Sequence, residues 1–83
     1  MRIPAPRVLA AFPDFRLVRS KTPTRGGGTL RRRWKGPDGR IAEWDSLHGA
    51  LELYSARGRH LGEYDPVSGI QLKAANPRYS VEP

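Results

Sequence analysis

Turn signals recur along this chain at intervals of about ten residues, and that spacing restricts the fold more than any other feature of the sequence. Gly36-Pro37-Asp38-Gly39 is one strong turn, Arg57-Gly58-Arg59 a second, and Pro66-Val67-Ser68-Gly69 a third. Short stretches with strand character lie around them: Leu30–Lys35, Arg40–Ser46, His48–Ala56, His60–Asp65 and Ile70–Lys73. No helix of ordinary length fits after residue 20, so the pattern predicts an antiparallel β-meander. Residues 1–29 read differently. Pro4, Pro6, Pro13 and Pro23 punctuate them and Gly26-Gly27-Gly28 closes them. They are expected to be loosely structured, with one short helical turn over Val8 to Phe12 that Pro13 ends. Phe12, Phe15, Leu17 and Val18 would pack onto the body, and Ala74 to Pro83 would form an irregular tail. The expectation is therefore one small, mainly β domain: a basic N-terminal segment (1–29), a meander (30–73) and a tail (74–83).

A chain of 83 residues has room for only a thin core. It contains no Cys, which excludes disulfide frameworks, thiol catalysis and Cys-based zinc sites. With only two His, a His-metal nuclease has too few ligands. Carboxylate-bound Mg²⁺ at Asp45 and Glu52 is the weaker alternative, and no metal or cofactor is expected. No apolar run approaches the ~18 residues that a membrane-spanning helix needs, and the N-terminus lacks a signal peptide's apolar stretch.

The formal net charge is +7, which suits a polyanionic partner. The charge is unevenly placed. Residues 1–40 hold eleven Lys or Arg against two acids, a net of +9, whereas residues 41–83 hold four against six, a net of −2. Carboxylates close to a phosphodiester repel it. Their presence in the second half is either ordinary surface balance or acid–base chemistry on a substrate held by the first half.

The segment Glu43 to Tyr54 carries the candidate chemistry. If 48–54 is extended, His48, Ala50, Glu52 and Tyr54 share one strand face, and Leu51 and Leu53 share the other. Asp45 lies just upstream, within reach of His48 through a bend near Leu47. An imidazole and a carboxylate are the groups that RNA transesterification requires. A base takes the 2′-OH proton, the 2′ oxygen attacks phosphorus, and an acid protonates the departing 5′ oxygen. Asp45 would favour protonated His48, making it the acid and Glu52 the base. The substrate supplies its own nucleophile, so the reaction requires no metal. The same spacing also describes a solvated polar strand face.

Arg31-Arg32-Arg33-Trp34-Lys35 interleaves charge with an aromatic ring. Alternate arginines on a strand form a phosphate-binding stripe, and Trp34 would stack on a base. The competing readings are a core Trp34 and a charged edge strand that resists aggregation. Lys21, Arg25 and Arg40 extend the basic set, and Tyr54 joins it from the polar face. A non-catalytic RNA-binding module fits these residues as well as an enzyme does.

The run Lys21-Thr22-Pro23, Gly26-Gly27-Gly28, Arg31-Arg32-Arg33-Trp34, Glu43-Trp44-Asp45-Ser46, His48-Gly49, Leu51-Glu52, Tyr54, His60-Leu61-Gly62, Asp65-Pro66, Gly69 and Gln71-Leu72-Lys73 resembles the cytotoxic ribonuclease domain of the ribosome-inactivating E-type colicins and cloacin. The resemblance covers roughly residues 21–78. It implies a strongly twisted antiparallel sheet with a short N-terminal helical segment. It also implies a single cut in small-subunit ribosomal RNA at the decoding site, which stops translation; transfer RNA and messenger RNA are the alternative targets. The family's catalytic aspartate, histidine and glutamate fall on Asp45, His48 and Glu52. A family arginine after the last strand falls by direct count on Tyr79, with Arg78 one residue earlier, and Arg78 is taken as its counterpart. A further family glutamate is replaced here by Ala50. The implied partners are the ribosome and a small acidic immunity protein. The implied setting is a larger toxin released from a producer cell and acting in the cytoplasm of its target.

Overall fold

A computed structural model describes residues 2–24 and 26–83 of the chain. Six strands form a single antiparallel sheet: β1 (Arg16–Val18), β2 (Arg33–Lys35), β3 (Ile41–Asp45), β4 (Ala50–Tyr54), β5 (His60–Tyr64) and β6 (Gln71–Ala74). Their order in the sheet is their order in the chain, so the expected meander holds throughout.

Period-two alternation separates the two faces of the central strands. Ala42 and Trp44 on β3 and Leu51 and Leu53 on β4 point to one side, where they form a core with Trp34 and Leu9. Trp34 is almost wholly buried in this cluster, which removes it from the expected RNA-stacking set. The physical reason is scarcity, because a chain with so few large apolar residues cannot leave an indole outside its core.

The N-terminal segment covers this apolar face. Ala5, Phe12 and Phe15 pack against the core. The Trp44 indole N–H donates to the Ile3 carbonyl at 2.7 Å, and the Ile3 amide donates to the Ser46 carbonyl at 2.7 Å. The expected helical turn over Val8 to Phe12 is not present. Two successive tight turns replace it, closed by the Phe12 amide on the Leu9 carbonyl and the Phe15 amide on the Phe12 carbonyl. Pro13 has no N–H with which to continue a helix, and the Ala11 amide donates instead to the Pro66 carbonyl. The segment is also less loose than expected, since Arg16–Val18 forms an edge strand in which Leu17 faces Trp34.

The opposite face is polar. Arg33, Glu43, Glu52, Glu63 and Lys73 are successive register partners on β2 to β6, and so form a row across five strands. Residues 76–83 return along this side and are tied to the body by the Val81 amide on the Gly58 carbonyl and the His60 amide on the Tyr79 carbonyl.

Candidate functional site

Asp45 ends β3 and shapes the connection to β4. Its backbone carbonyl accepts the Gly49 amide at 2.8 Å, and its Oδ1 accepts the amides of Leu47 (3.0 Å) and His48 (3.3 Å). Gly49 closes the turn at a φ of 66°, in the left-handed region that a side chain disfavours. His48 therefore lies in this turn, not on the strand, and the expected alternation of residues 48, 50, 52 and 54 fails at its first member. The turn nevertheless delivers His48 to the polar side. Its Nδ1 lies 2.7 Å from Asp45 Oδ2 and 3.5 Å from Glu63 Oε1. The side chain is 55% exposed.

Glu52 comes from the middle of β4, opposite Glu43 and Glu63. Three carboxylates side by side require separate compensation. Arg33 holds Glu43 with two contacts of 2.8 and 3.0 Å to Oε2, and Thr22 Oγ1 donates to the same oxygen at 2.6 Å. Lys73 stands 4.0 Å from Glu63. Among the described residues, Glu52 receives an imidazole alone, with His60 Nε2 at 2.7 Å from its Oε1.

These surroundings push the carboxylates in different directions. Burial raises the Glu52 pKa, the His60 hydrogen bond opposes that rise, and the charge of Glu63 adds to it; the result lies above the usual carboxylate value. Burial also works against the Asp45 carboxylate. There the His48 side chain and the Leu47 and His48 amides outweigh it and hold the pKa below the usual value. Burial and the charges of Glu43 and Glu52 drive the Tyr54 phenol upward, so it stays protonated.

Asp45, His48, Glu52 and Arg78 all line one cleft of about 400 Å³, together with Arg31 and Tyr54. The other basic residues are dispersed. Arg32 and Lys35 are exposed on β2 and just before it, outside the cleft lining. Lys21 is exposed and donates to the Pro83 carbonyl at 2.6 Å. Arg40 pairs with Asp38 at 2.7 Å and lies over the Phe15 ring, away from the cleft. Arg33 is 2% exposed and committed to Glu43, Thr22 and the Glu82 carbonyl, so it does not belong to a phosphate-binding stripe. Arg25 lies outside the described residues.

The sequence reading missed His60, Glu63, Lys73 and Tyr79, all of which line the cleft. A bulge hides His60. Leu53 faces Gly62 and Tyr54 faces His60, so Leu61 is an extra residue on β5. Simple alternation from Glu63 would turn His60 to the apolar side; the inserted Leu61 reverses that and places it beside Glu52. Gly62 permits the distortion with a φ of 142°, and a Cβ there would collide with Gln71 Nε2 and the Lys73 carbonyl.

Asp45, His48 and Glu63 each offer one ligand atom, all within 4.8 Å of one another, and could hold a cation. The 2.7 Å between His48 and Asp45 is hydrogen-bond length, and it fixes the orientation of the imidazole.

A family model described as Cytotoxic matches residues 3–82. Colicin E3 of Escherichia coli is 45% identical over 83 residues, which cover 95% of this chain and 15% of that protein. Colicin-E6 of Escherichia coli is 52% identical over 64 residues, covering 75% of this chain and 12% of its own length. Cloacin of Escherichia coli is 50% identical over 64 residues, covering 75% and 11% respectively. The chain thus spans less than a sixth of the length of the curated relatives it matches.

Proposed function

The chain belongs to the Cytotoxic family, and from that premise we propose that it is the ribonuclease part of a bacterial toxin, cutting small-subunit ribosomal RNA at the decoding site. The observation that carries this reading is the cleft. It brings a half-exposed imidazole and a buried, basic carboxylate together beside two arginines.

The chemistry follows from the partners of each group. Glu52, with Oε1 engaged by His60, takes the 2′-OH proton on its other oxygen. The 2′ oxygen attacks the adjacent phosphorus. His48, held through Nδ1 by Asp45, carries its transferable proton on Nε2 and gives it to the departing 5′ oxygen. Arg31 and Arg78 stabilise the charge that accumulates on the phosphorane. The products are a 2′,3′-cyclic phosphate and a free 5′-OH. Arg32, Lys35 and Lys21 add phosphate contacts outside the cleft. A net charge of +7 suits both ribosomal RNA and a small acidic immunity protein as partners. Release from a producer cell within a larger protein, and action in the cytoplasm of a target cell, complete the proposal.

The test is a gel of RNA from intact bacterial ribosomes treated with this chain, with His48→Ala and Glu52→Gln beside it. One short fragment from the 3′ end of small-subunit RNA, absent with both variants, is the expected result. Intact RNA, with the chain co-sedimenting with ribosomes, would make it a binding module; cleavage of transfer or messenger RNA alone would move the target.

A further inference from the structure

His60 is not itself one of the acid–base pair, yet two elements, β4 and the C-terminal tail, converge on its ring. From β4, Glu52 Oε1 meets Nε2 at 2.7 Å. From the C-terminal tail, the Asn76 backbone amide donates to Nδ1 at 2.9 Å. Tyr54 and Tyr79 both meet the ring in edge-on geometry, each with its centroid 5.3 Å away. The side chain is 3% exposed, so no substrate reaches it.

The Asn76 contact determines where the proton sits. A backbone N–H only donates, so Nδ1 must accept and carries no hydrogen. The ring's single proton is therefore on Nε2, aimed at Glu52. We propose that His60 is the positioning residue of Glu52, a tautomer-locked donor that fixes the carboxylate through Oε1 and leaves its second oxygen to act as base. His48 and Glu52 then each have their own orienting partner: a carboxylate behind the imidazole, and an imidazole behind the carboxylate.

The inference rests on the reading of Glu52 as base. The surroundings make such a donor necessary. Glu43 faces Glu52 from β3 and Glu63 from β5, and the charges of Glu63 and of Asp45, at the end of β3, both disfavour its ionisation. Arg33 is spent on Glu43, and Lys73 on β6 lies nearest Glu63. Tyr54 on its own strand remains a phenol. His48, Arg31, Arg78 and Tyr79 line the same cleft, but none of them makes a hydrogen bond to Glu52 among the described residues. The tail also joins the machinery, because the Asn76 amide that locks the tautomer lies two residues before Arg78.

The test is the pH dependence of RNA cleavage by His60→Ala and His60→Gln. Loss of the donor should lower kcat about tenfold to a hundredfold, the range for a hydrogen bond to a charged group, with KM nearly unchanged. Glu52 would also protonate more readily, so the acid limb of the rate profile should move to higher pH. Glutamine, whose amide still donates, should recover part of the rate and return the limb toward wild type. An acid limb that stays in place in a folded His60→Ala chain would overturn the proposal. Nitrogen NMR of the unmodified chain provides a second readout should the alanine variant fail to fold. An Nε2–H tautomer with an accepting Nδ1 supports the proposal, and an Nδ1–H tautomer refutes it. Cleavage that survives Glu52→Gln would instead remove the base reading itself.

Discussion

Asp45 Oδ2 lies 2.7 Å from His48 Nδ1, and the other oxygen of the same carboxylate accepts the two amides that close the turn carrying His48. One side chain thus builds the turn and orients the imidazole. Asp45→Asn keeps an acceptor for the amides and removes the charge. Cleavage should fall by about 10²-fold, within the range attributed to a positioned general acid, while the fold survives. Stability supplies a second readout. The Asp45 pKa is depressed in the folded chain, so ionisation stabilises the fold above the ordinary carboxylate value of 3.8. That contribution is lost as pH falls through the folded value. A Tm gap between wild type and Asp45→Asn at pH 7, closing in acid, is the expected result.

Glu52 has the opposite sign. Its pKa is raised on folding, so the unfolded chain releases this proton first. Stability should therefore decline as pH rises from the ordinary value of 4.5 through the folded value. Glu52→Gln retains an oxygen for His60 and removes repulsion from Glu63 and Asp45. It should abolish cleavage while leaving Tm at pH 7 unchanged or up to about 5 °C higher. Thermal melts at pH 4 and pH 7 check both halves of the prediction.

Arg31 and Arg33 are two residues apart and differ entirely in role. Arg33 is the buried partner of Glu43, and removing it leaves that carboxylate uncompensated. Arg33→Ala should cost about 3–5 kcal/mol of stability in a urea titration. Arg31 lines the open cleft, so Arg31→Ala should weaken RNA binding at unchanged stability.

Phosphate contacts make RNA affinity depend on salt. The logarithm of the binding constant should fall with the logarithm of salt concentration by about 0.7 for each phosphate contacted on a single strand. Replacing Arg31 or Arg32 should flatten that slope by about one contact each, measured by fluorescence anisotropy on a short oligonucleotide.

The meander was legible because its turns are written in Gly, Pro and Asp at regular spacing, and Leu51 and Leu53 identify the apolar face of β4. Asp45, His48 and Glu52 were legible as neighbours, though His48 reaches the site from a turn and not by strand alternation. His60 was invisible because the bulge at Leu61 inverts the face it occupies, and nothing in a linear pattern marks an inserted residue. Arg33 was misplaced, and Trp34 was left between the core and base stacking, for a related reason. Composition shows that a residue is basic or aromatic, but only the pairing of Arg33 with Glu43 and of Trp34 with Leu17 and Ala42 shows which side it faces. The edge strand Arg16–Val18 carries no signal of its own and forms because β2 offers it a partner.

The chemistry of the cut ends tests the central claim most directly. RNA cleaved by the wild-type chain in excess chelator should carry a 2′,3′-cyclic phosphate on one fragment and a 5′-OH on the other, as transfer of a proton from the 2′-OH to Glu52 and from His48 to the 5′ oxygen requires. Fragments ending in a 3′-OH and a 5′-phosphate, or cleavage that stops when the chelator is added, would contradict it.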